Sequence, residues 1–279
     1  MERRNFLQVL QEAKIDIKRE YDRLYFMFYT QKASISGVNL TLREYCANSF
    51  INSTIRGTCI SLDDFDDFYN FHFERSPNNL DEVYLINFCE YTLNLILHSY
   101  TNPMMSYGPN SLYELWQLYY QQLLRVIDLT GYMSAQNEDI TILVPKSPVA
   151  VSVSEMIDPA MSYKVIEYNH HSLKGNISKK QAILKQLADI VEGKRGDLCK
   201  VSSTLYQNLS TLFNNLNIRH NNVDTTSPNY HEIIANLSND ELEQWYDDTY
   251  QLCLQAFIMM DNASINARAK ELRISIKGG

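Results

Sequence analysis

The sequence predicts a mainly α-helical protein, a helical bundle with a small β hairpin or meander between two helical regions. Apolar residues recur every three or four positions over most of the chain, which is the spacing of one helix face. Capping residues stand where these stretches begin, and short β-branched runs bounded by proline occur in a single segment. We therefore expect a helical region over residues 1–138, a small β element over 139–168, a helical bundle over 169–262 and a basic tail over 263–279.

The N-terminal region is expected to be a succession of helices. The first is predicted to span roughly the first thirty residues, because its side chains on one face are spaced by threes and fours, with Glu20 or Tyr21 filling the gap between Ile17 and Leu24: Phe6, Leu10, Ala13, Ile17, Leu24 and Phe28. Further helices are expected over 41–57, from the N-cap Ser61, over 80–100, and after Pro109 with Asn110 or Ser111 as N-cap.

Three short runs between Asp139 and Tyr168 are predicted to be strands. "ITILVP", "VAVSVS" and "YKVIEY" are rich in β-branched residues and lie between prolines. Together they predict a hairpin or meander, and this change of pattern is the expected boundary between the two helical regions.

Helices are expected again beyond the β element. Ser178 is the predicted N-cap of "KKQAILKQLADIVEG", and Gly193 is expected to end that helix. A long helix is predicted over about residues 197–218. Ser238 followed by Glu241 has the spacing of a capping box at the start of the last helix.

The composition argues against several classes of protein. The five cysteines are widely spaced and form no CxxC or Cys/His pairing, so neither a disulfide framework nor a zinc site is expected, and no cofactor is predicted. The chain begins with charged residues and shows no apolar signal segment. Its most apolar stretch, residues 83–100, is interrupted by Asn87, Glu90, Asn94 and His98, which a membrane span would tolerate poorly. We therefore expect a cytoplasmic protein without a membrane span.

Charge is distributed unevenly along a chain whose net charge is −8. Residues 164–220 carry 9 Lys and Arg against 4 Asp and Glu, a balance of +5, and residues 221–262 carry 0 against 8, a balance of −8. A phosphate backbone requires cationic side chains, although a basic block also fits an ordinary solvated helix face. The candidate contacts to a phosphate backbone are Lys174, Lys194, Arg195 and Lys200.

The stretch "LFNNLNIRHNN", residues 212–222, places a permanent cation where an apolar residue is expected. Arg219 lies three residues after Leu216 and seven after Leu212, so a helix that continued this far would point all three side chains to one side. The residues that follow are His220, Asn221 and Asn222. The order along the chain is therefore an apolar helix, an arginine with a polar neighbour, a short loop and a second capped apolar helix.

This arrangement resembles the HEPN superfamily, helical-bundle proteins of abortive-infection and toxin systems. The family's ribonuclease motif is an Arg, a polar residue and a His about four to six residues after the Arg. Arg219 matches the arginine, His220 matches the polar position, and the resemblance covers roughly residues 169–262. It implies a bacterial anti-phage defence protein that cleaves RNA without a metal ion and acts as a dimer, with two motifs facing each other.

The sequence departs from the motif at the histidine. Positions 223–225, four to six after Arg219, are Val, Asp and Thr, and the next histidine is His231. Under the resemblance, Arg219 would stabilise phosphate charge, and either His220 or His231 would exchange a proton with the ribose 2′-hydroxyl. The residues that would position the phosphate are Asn221 and Asn222.

Two other interpretations remain open. The first is a non-catalytic sensor, scaffold or inhibitor that keeps the bundle and binds a protein partner, with Arg219 held structurally by Asp247 or Asp248. The second is a metal-dependent phosphohydrolase built on the carboxylates of "DDFDDFYNFHFE", residues 63–74. Acidic residues are also expected in the first turn of any helix, where they interact favourably with the positive end of the helix dipole.

Overall fold

The structure is a computed structural model that describes residues 15–100 and 111–278. These residues are mainly helical, and their strands form small antiparallel hairpins, which confirms the predicted fold class. The chain divides into two compact units, a first unit formed by Met1–Lys146 and a second unit formed by Ser147–Gly279. Each unit buries its own apolar side chains.

The first unit combines helices with two hairpins in the described part of the chain. Its helices are α1 (Ile17–Tyr25), which continues as a π-helical turn over Phe26–Thr30, α2 (Leu42–Ser49), α3 (Leu62–Tyr69), α4 (Glu82–Tyr100) and α5 (Ser111–Leu129). Short 3-10 turns follow α2 at Phe50–Asn52 and Thr54–Arg56. Strand β1 (Ala33–Ile35) pairs with β2 (Val38–Leu40), and β3 (Tyr132–Asn137) pairs with β4 (Ile140–Pro145).

Aromatic side chains fill the core between α1, α4 and α5. Phe88 of α4 packs edge-on against Tyr21 of α1 with ring centroids 5.1 Å apart, and Phe28 stacks on Tyr119 of α5 at 5.6 Å. All four rings are fully buried. Rings of this size remove much apolar surface from water, so they contribute a large share of the stability of this unit.

The polar residues that interrupt the apolar helix α4 complete the free edge of β4. The Asn94 amide donates to the Thr141 carbonyl oxygen at 2.7 Å and accepts from the Thr141 N–H at 2.8 Å. The Glu90 carboxylate accepts from the Leu143 N–H at 2.5 Å. Because β4 has β3 on one side only, these side chains satisfy backbone groups that burial would otherwise leave without partners.

The described part of the second unit contains helices and connecting loops but no strand. Its elements are α6 (Pro148–Met156), α7 (Pro159–Glu167), a 3-10 turn (His171–Leu173), α8 (Ile177–Gly193), α9 (Arg195–Val201), α10 (Ser203–Asn215), α11 (Glu232–Ala235) and α12 (Asn239–Gly278). The core lies between α8, α10 and the first half of α12, and its fully buried members include Leu184, Leu187, Leu209, Phe213, Tyr250 and Cys253.

Several helix boundaries fall where the sequence predicts them. The Ser61 hydroxyl caps α3 by accepting from the Asp64 N–H at 3.0 Å. At the start of α12, Ser238 accepts from the Glu241 N–H at 3.3 Å while the Glu241 carboxylate accepts from the Ser238 N–H at 2.9 Å. This exchange is the predicted capping box. Gly193 is the last residue of α8, as expected.

Two of the three predicted strands are wrong. "ITILVP" forms β4, but "VAVSVS" lies in α6 and "YKVIEY" belongs to α7 and its C-cap, while the partner strand β3 precedes residue 139. Both helices have proline at their first position behind a capping side chain, Ser147 for α6 and Asp158 for α7. Proline suits that position because no intrahelical bond needs its missing N–H. Pro148 and Pro159 therefore begin helices, whereas Pro145 ends β4.

Other departures concern helix lengths. Residues 33–40, predicted to follow directly on a helix, form the hairpin of β1 and β2, and the helix expected over 41–57 ends at residue 49. The helix predicted over 197–218 is divided into α9 and α10 by Ser202, whose extended backbone caps α10. The N-cap of α8 is Asn176 and not Ser178, and the basic tail continues α12. The predictions at Phe6, Leu10, Ala13 and Asn110 lie outside the described residues.

A buried lysine joins α8 to α12. The Lys180 ammonium lies 2.7 Å from the Glu243 carboxylate and 2.6 Å from that of Asp247, and Asp247 also accepts from the Tyr168 hydroxyl at 3.0 Å. Burial alone would raise the pKa of Glu243, but hydrogen bonds from Lys180 and the Gly175 N–H outweigh it and hold that pKa below its usual range. The cluster thus keeps the Glu243 carboxylate charged beside the buried Lys180.

We expect Lys180→Met to lower the free energy of unfolding of the second unit by about 3 kcal/mol, because it leaves Glu243 and Asp247 side by side without their cation. Urea titration at neutral pH measures the loss. The matched control is Lys185→Met, which changes an exposed lysine of the same helix and should cost less than about 0.5 kcal/mol. Equal effects of the two substitutions would contradict a structural role for the cluster.

Candidate functional site

Helix α10 ends before it reaches Arg219. Its last residue is Asn215, and Asn217 has a φ of 56°, a left-handed conformation that stops the helix. The Arg219 N–H donates to the Phe213 carbonyl oxygen at 3.0 Å, which closes the turn. The predicted stripe of Leu212, Leu216 and Arg219 is therefore wrong, because no continuous helix aligns these side chains.

Asn222 holds this turn together. Its side-chain oxygen accepts from the Asn217 N–H at 2.8 Å, and its own N–H donates to the Asn217 side-chain oxygen at 3.3 Å. The Asn222 amide nitrogen also donates to the Asn229 carbonyl oxygen at 2.8 Å, and the residue is 0% exposed. Asn221 is exposed, and its side-chain oxygen accepts from the Val223 and Asp224 N–H groups. Both predicted phosphate-positioning residues thus bind the backbone of their own loop.

The loop after Asn222 returns to its starting point. The His231 N–H donates to the Asn222 carbonyl oxygen at 2.9 Å, which closes residues 223–230 into a loop with a hydrogen-bonded base. The structure therefore brings His231 next to the turn that contains Arg219 and His220. Both histidines are exposed.

The Arg219 guanidinium is bound by a carboxylate that the sequence analysis did not identify. Its Nη1 lies 2.6 Å from Oε1 of Glu192, in the last turn of α8. The expected partners were Asp247 and Asp248, but Asp247 binds Lys180 and Tyr168, and Asp248 accepts from Gln244 at 3.1 Å. The side chains of Arg219 and Glu192 are 32% and 28% exposed, so the pair lies within reach of solvent.

One face of α8 fixes the turn at two points. The Gln181 amide donates to the Asn217 carbonyl oxygen, and Glu192 binds Arg219. These two α8 residues are eleven positions apart, which is close to three helical turns of about 3.6 residues, so they lie on the same side of the helix. The position of Arg219 is therefore set by contacts to α8.

Three of the four predicted RNA contacts gather at the same end of α8. Lys194 directly follows α8, and Arg195 and Lys200 lie in α9, which begins at Arg195. All three are exposed. Lys174 is separate from them, because it precedes α8 at the other end of that helix, which is about 25 Å long.

A groove between α9 and α12 is lined by two of these cations. It has a volume of about 540 Å³, and Lys194 and Lys200 line it together with Phe257 and Met260. The Lys194 ammonium lies 6.0 Å from the centre of the Phe257 ring, and Lys200 pairs with Asp197 at 3.0 Å. Phe257 is buried, and Asp197 and Asp261 also line the groove, so its exposed lysines are the groups suited to contact a phosphate backbone.

The acidic stretch at residues 63–74 is held by an arginine. Arg43 of α2 lies 2.6 Å from Asp63 and 2.6 Å from Asp66, and the Tyr91 hydroxyl donates to Asp66 at 2.6 Å. Burial raises the pKa of Asp66, against the opposite effects of Tyr91 and Arg43. The contacts of Asp63 and Asp66 connect α2, α3 and α4, a structural role other than the first-turn position that the sequence suggested.

Two ion pairs of the second unit were not predicted from the sequence, those of Arg219 and of Lys180. The Glu192–Arg219 pair joins residues far apart in the chain, and no local pattern marks it. Lys180 gave a usable signal, because it falls among apolar positions of α8 while Glu243 and Asp247 stand four residues apart on α12.

Comparisons of the chain with family models, curated proteins and solved structures returned no match, so the HEPN relationship stays a prediction. Within residues 15–100 and 111–278, no helix combines the length and hydropathy that a membrane crossing requires.

We expect Asn222→Ala to lower the free energy of unfolding by about 2 kcal/mol, because it leaves the Asn217 N–H and the Asn229 carbonyl without their buried partner. Chemical denaturation monitored by circular dichroism measures the change. The control is Asn208→Ala, at an exposed position of α10. A loss for Asn222→Ala no larger than that for the control would show that the turn does not depend on this amide.

Proposed function

We propose that the second unit is a HEPN-like endoribonuclease, a toxin-type protein of abortive infection that cleaves RNA without a metal ion. The observation that carries the proposal is the hydrogen bond from the His231 N–H to the Asn222 carbonyl oxygen, at 2.9 Å. It returns a histidine from beyond the usual motif spacing to the turn with Arg219 and His220. An exposed cation and two exposed imidazoles then lie in one segment, residues 219–231, whose ends this bond brings together, and this supports phosphodiester chemistry.

The proposed reaction is an internal transesterification. An imidazole of His220 or His231 removes the proton of a ribose 2′-hydroxyl, and the 2′-oxygen attacks the adjacent phosphorus. The bond from phosphorus to the 5′-oxygen breaks, and that oxygen receives a proton, so the products are a 2′,3′-cyclic phosphate and a 5′-hydroxyl. Histidine suits both proton transfers because its ordinary pKa lies near neutrality. Arg219 offsets the negative charge that gathers on the phosphoryl oxygens.

Arg219 has to exchange Glu192 for the phosphate. Ion pairs that remain in reach of water contribute only about 0–1 kcal/mol, so this exchange costs little. Lys194, Arg195 and Lys200, near the same end of α8, add a positive field that attracts an RNA backbone. We therefore expect Glu192→Gln to bind RNA more tightly than the wild type.

We expect Arg219→Ala and His231→Ala to slow cleavage of a labelled single-stranded RNA by about 100-fold in the presence of EDTA, because each removes a group that acts on the reacting phosphate. His220→Ala tests whether the neighbouring imidazole is the partner acid. The matched control is His72→Ala, which removes an exposed histidine from the first unit and should leave the rate unchanged. Gel analysis with end-group chemistry identifies the cyclic phosphate.

Expression of the same variants in bacteria provides a second readout, since an active toxin slows growth and degrades cellular RNA. If wild type, Arg219→Ala, His220→Ala and His231→Ala leave growth and RNA equally intact under induction, and the purified proteins are equally inactive, the nuclease proposal fails. Cleavage that needs a divalent metal ion and survives Arg219→Ala would also overturn it.

The HEPN resemblance also implies a homodimer in which two motifs face one another, and RNA as the substrate. A second copy of the chain, or a partner protein of a defence system, is therefore part of the proposal. Sedimentation analysis of the purified protein, with and without RNA, measures whether the second copy is present.

A second candidate function is a non-catalytic sensor, scaffold or inhibitor that binds a protein partner. The Glu192–Arg219 ion pair and the fully buried Asn222 favour it, because both give the motif residues a structural role. Under this alternative, Arg219→Ala lowers the melting temperature while RNA remains intact for wild type and variant alike. The thermal shift and the RNA assay together separate the two candidates.

A further inference from the structure

The second half of α12 presents its side chains to solvent. From Asn262 to Lys277 every side chain except that of Ala263 is exposed. The first half of the same helix is packed in the core of the second unit, where Tyr250 and Cys253 are buried. The exposed half therefore continues a helix that is already nucleated, and the unfavourable first turn does not have to be formed again.

An apolar seam runs along this exposed half. Ile258, Ile265 and Leu272 are seven residues apart, and a second series at the same interval is Asn262, Ala269 and Ile276. These are the d and a positions of a heptad, respectively. Ile265 is 44% exposed, Leu272 63% and Ile276 71%. Residues 262–277 therefore offer two heptads of a coiled-coil seam with no side chain of the second unit over it.

The width of the seam indicates a helix as its partner. The a and d residues span about 60° of the helix circumference at about 100° per residue, which is narrower than the stripe of a helix that packs on a globular core. A helix that lies on a lipid surface needs a wide apolar face. A narrow heptad seam fits a single facing helix, whose side chains interdigitate with it.

Charges beside the seam select the kind of helix. Arg268 occupies a g position and Arg273 the following e position, so both flanks are cationic. Residues 262–277 carry four cations, Arg268, Lys270, Arg273 and Lys277, against Glu271, a balance of +3. In a parallel pair of two copies, Arg268 of one would face Arg273 of the other, and like charges at these positions oppose pairing.

We propose that residues 262–277 of α12 bind an amphipathic helix of a different protein, one with a Leu- or Ile-based heptad seam and acidic residues at its e and g positions. Asn262 at an a position fixes the register, because it pairs best with a polar residue at the same level of the partner. This interaction is independent of RNA cleavage, since the seam contains none of the residues proposed to act on phosphate.

The test uses the full-length protein and two designed peptides of three heptads. Both have Ile at a, Leu at d and one Asn at an a position, and they differ only in carrying Glu or Lys at every e and g position. Fluorescence anisotropy measures binding of each labelled peptide. We expect the Glu peptide to bind at least about tenfold more tightly than the Lys peptide.

Variants of the exposed helix decide whether the seam is responsible. Leu272→Asp should abolish binding of the Glu peptide, and the double variant Arg268→Glu with Arg273→Glu should reverse the preference toward the Lys peptide. The control Ile274→Asp changes an exposed apolar residue on the opposite side of the helix and should leave binding unchanged. Because all these positions are exposed, circular dichroism should show the fold intact.

Three outcomes would overturn the proposal. One is the absence of binding by either peptide at concentrations where the protein remains soluble. Another is self-association in analytical ultracentrifugation that Leu272→Asp abolishes, which would make a second copy the occupant. The third is seam-dependent binding to vesicles of phosphatidylserine and phosphatidylcholine with no preference between the peptides. Selective binding of the Glu peptide by the wild type, lost in Leu272→Asp, is the result that supports it.

Discussion

The reciprocal hydrogen bonds between Asn217 and Asn222 hold the turn that carries Arg219 and His220. Asn217 adopts a left-handed conformation, which ends α10 and turns the chain, and Asn222 locks that turn from a fully buried position. Asparagine is among the few residues that tolerate this conformation while its amide still binds backbone groups. The turn presents Arg219 and His220, and the same Asn222 receives the backbone of His231 through its carbonyl oxygen. The loop has little preference for one backbone conformation of its own, and Asn222 holds it closed.

Helix α8 supports the turn and the last helix from different faces. Gln181 and Glu192 hold the turn from one side of α8, while Lys180, about 100° around the helix from Gln181, joins it to Glu243 and Asp247 of α12. Polar residues on this otherwise apolar helix therefore have defined partners. Since Glu192 is also the group that binds Arg219, the stability of the turn and the availability of the guanidinium are linked. A phosphate that takes the place of Glu192 must provide at least the small free energy that the exposed pair contributes.

The sequence predicts the fold class and the start of several helices, because both depend on local signals. The spacing of apolar residues and the caps at Ser61 and Ser238 are such signals, and the structure confirms them. The strands predicted at "VAVSVS" and "YKVIEY" fail because β-branched residues tolerate a helix when a capping side chain and an initial proline start it. The strand propensity of individual residues is a weak predictor where caps and tertiary packing decide whether a segment becomes a strand or a helix.

The site could be predicted only in part. The HEPN resemblance identifies Arg219 as a candidate, and His231 is a candidate only as the next histidine in the chain. The closure of the loop depends on the burial of Asn222, which no periodicity indicates among several neighbouring asparagines. The partner of Arg219 was assigned to the next helix in the chain, whereas the structure supplies it from α8, earlier in the chain. Long-range ion pairs of this kind follow from how helices pack, and that information is not local to any stretch of sequence.

The most direct test is whether the turn after α10 binds a phosphate. Nuclear magnetic resonance can measure this with an uncleavable RNA dinucleotide, in which hydrogen replaces the attacking 2′-hydroxyl. We expect the Arg219 side-chain Nε–H and the His231 ring signals to shift together on titration, and the shifts to be stronger in Glu192→Gln, whose guanidinium has no competing carboxylate. A dinucleotide that leaves both side chains unperturbed, or that perturbs only residues remote from this turn, would show that Arg219 serves to anchor the loop and that the phosphate is bound elsewhere or not at all.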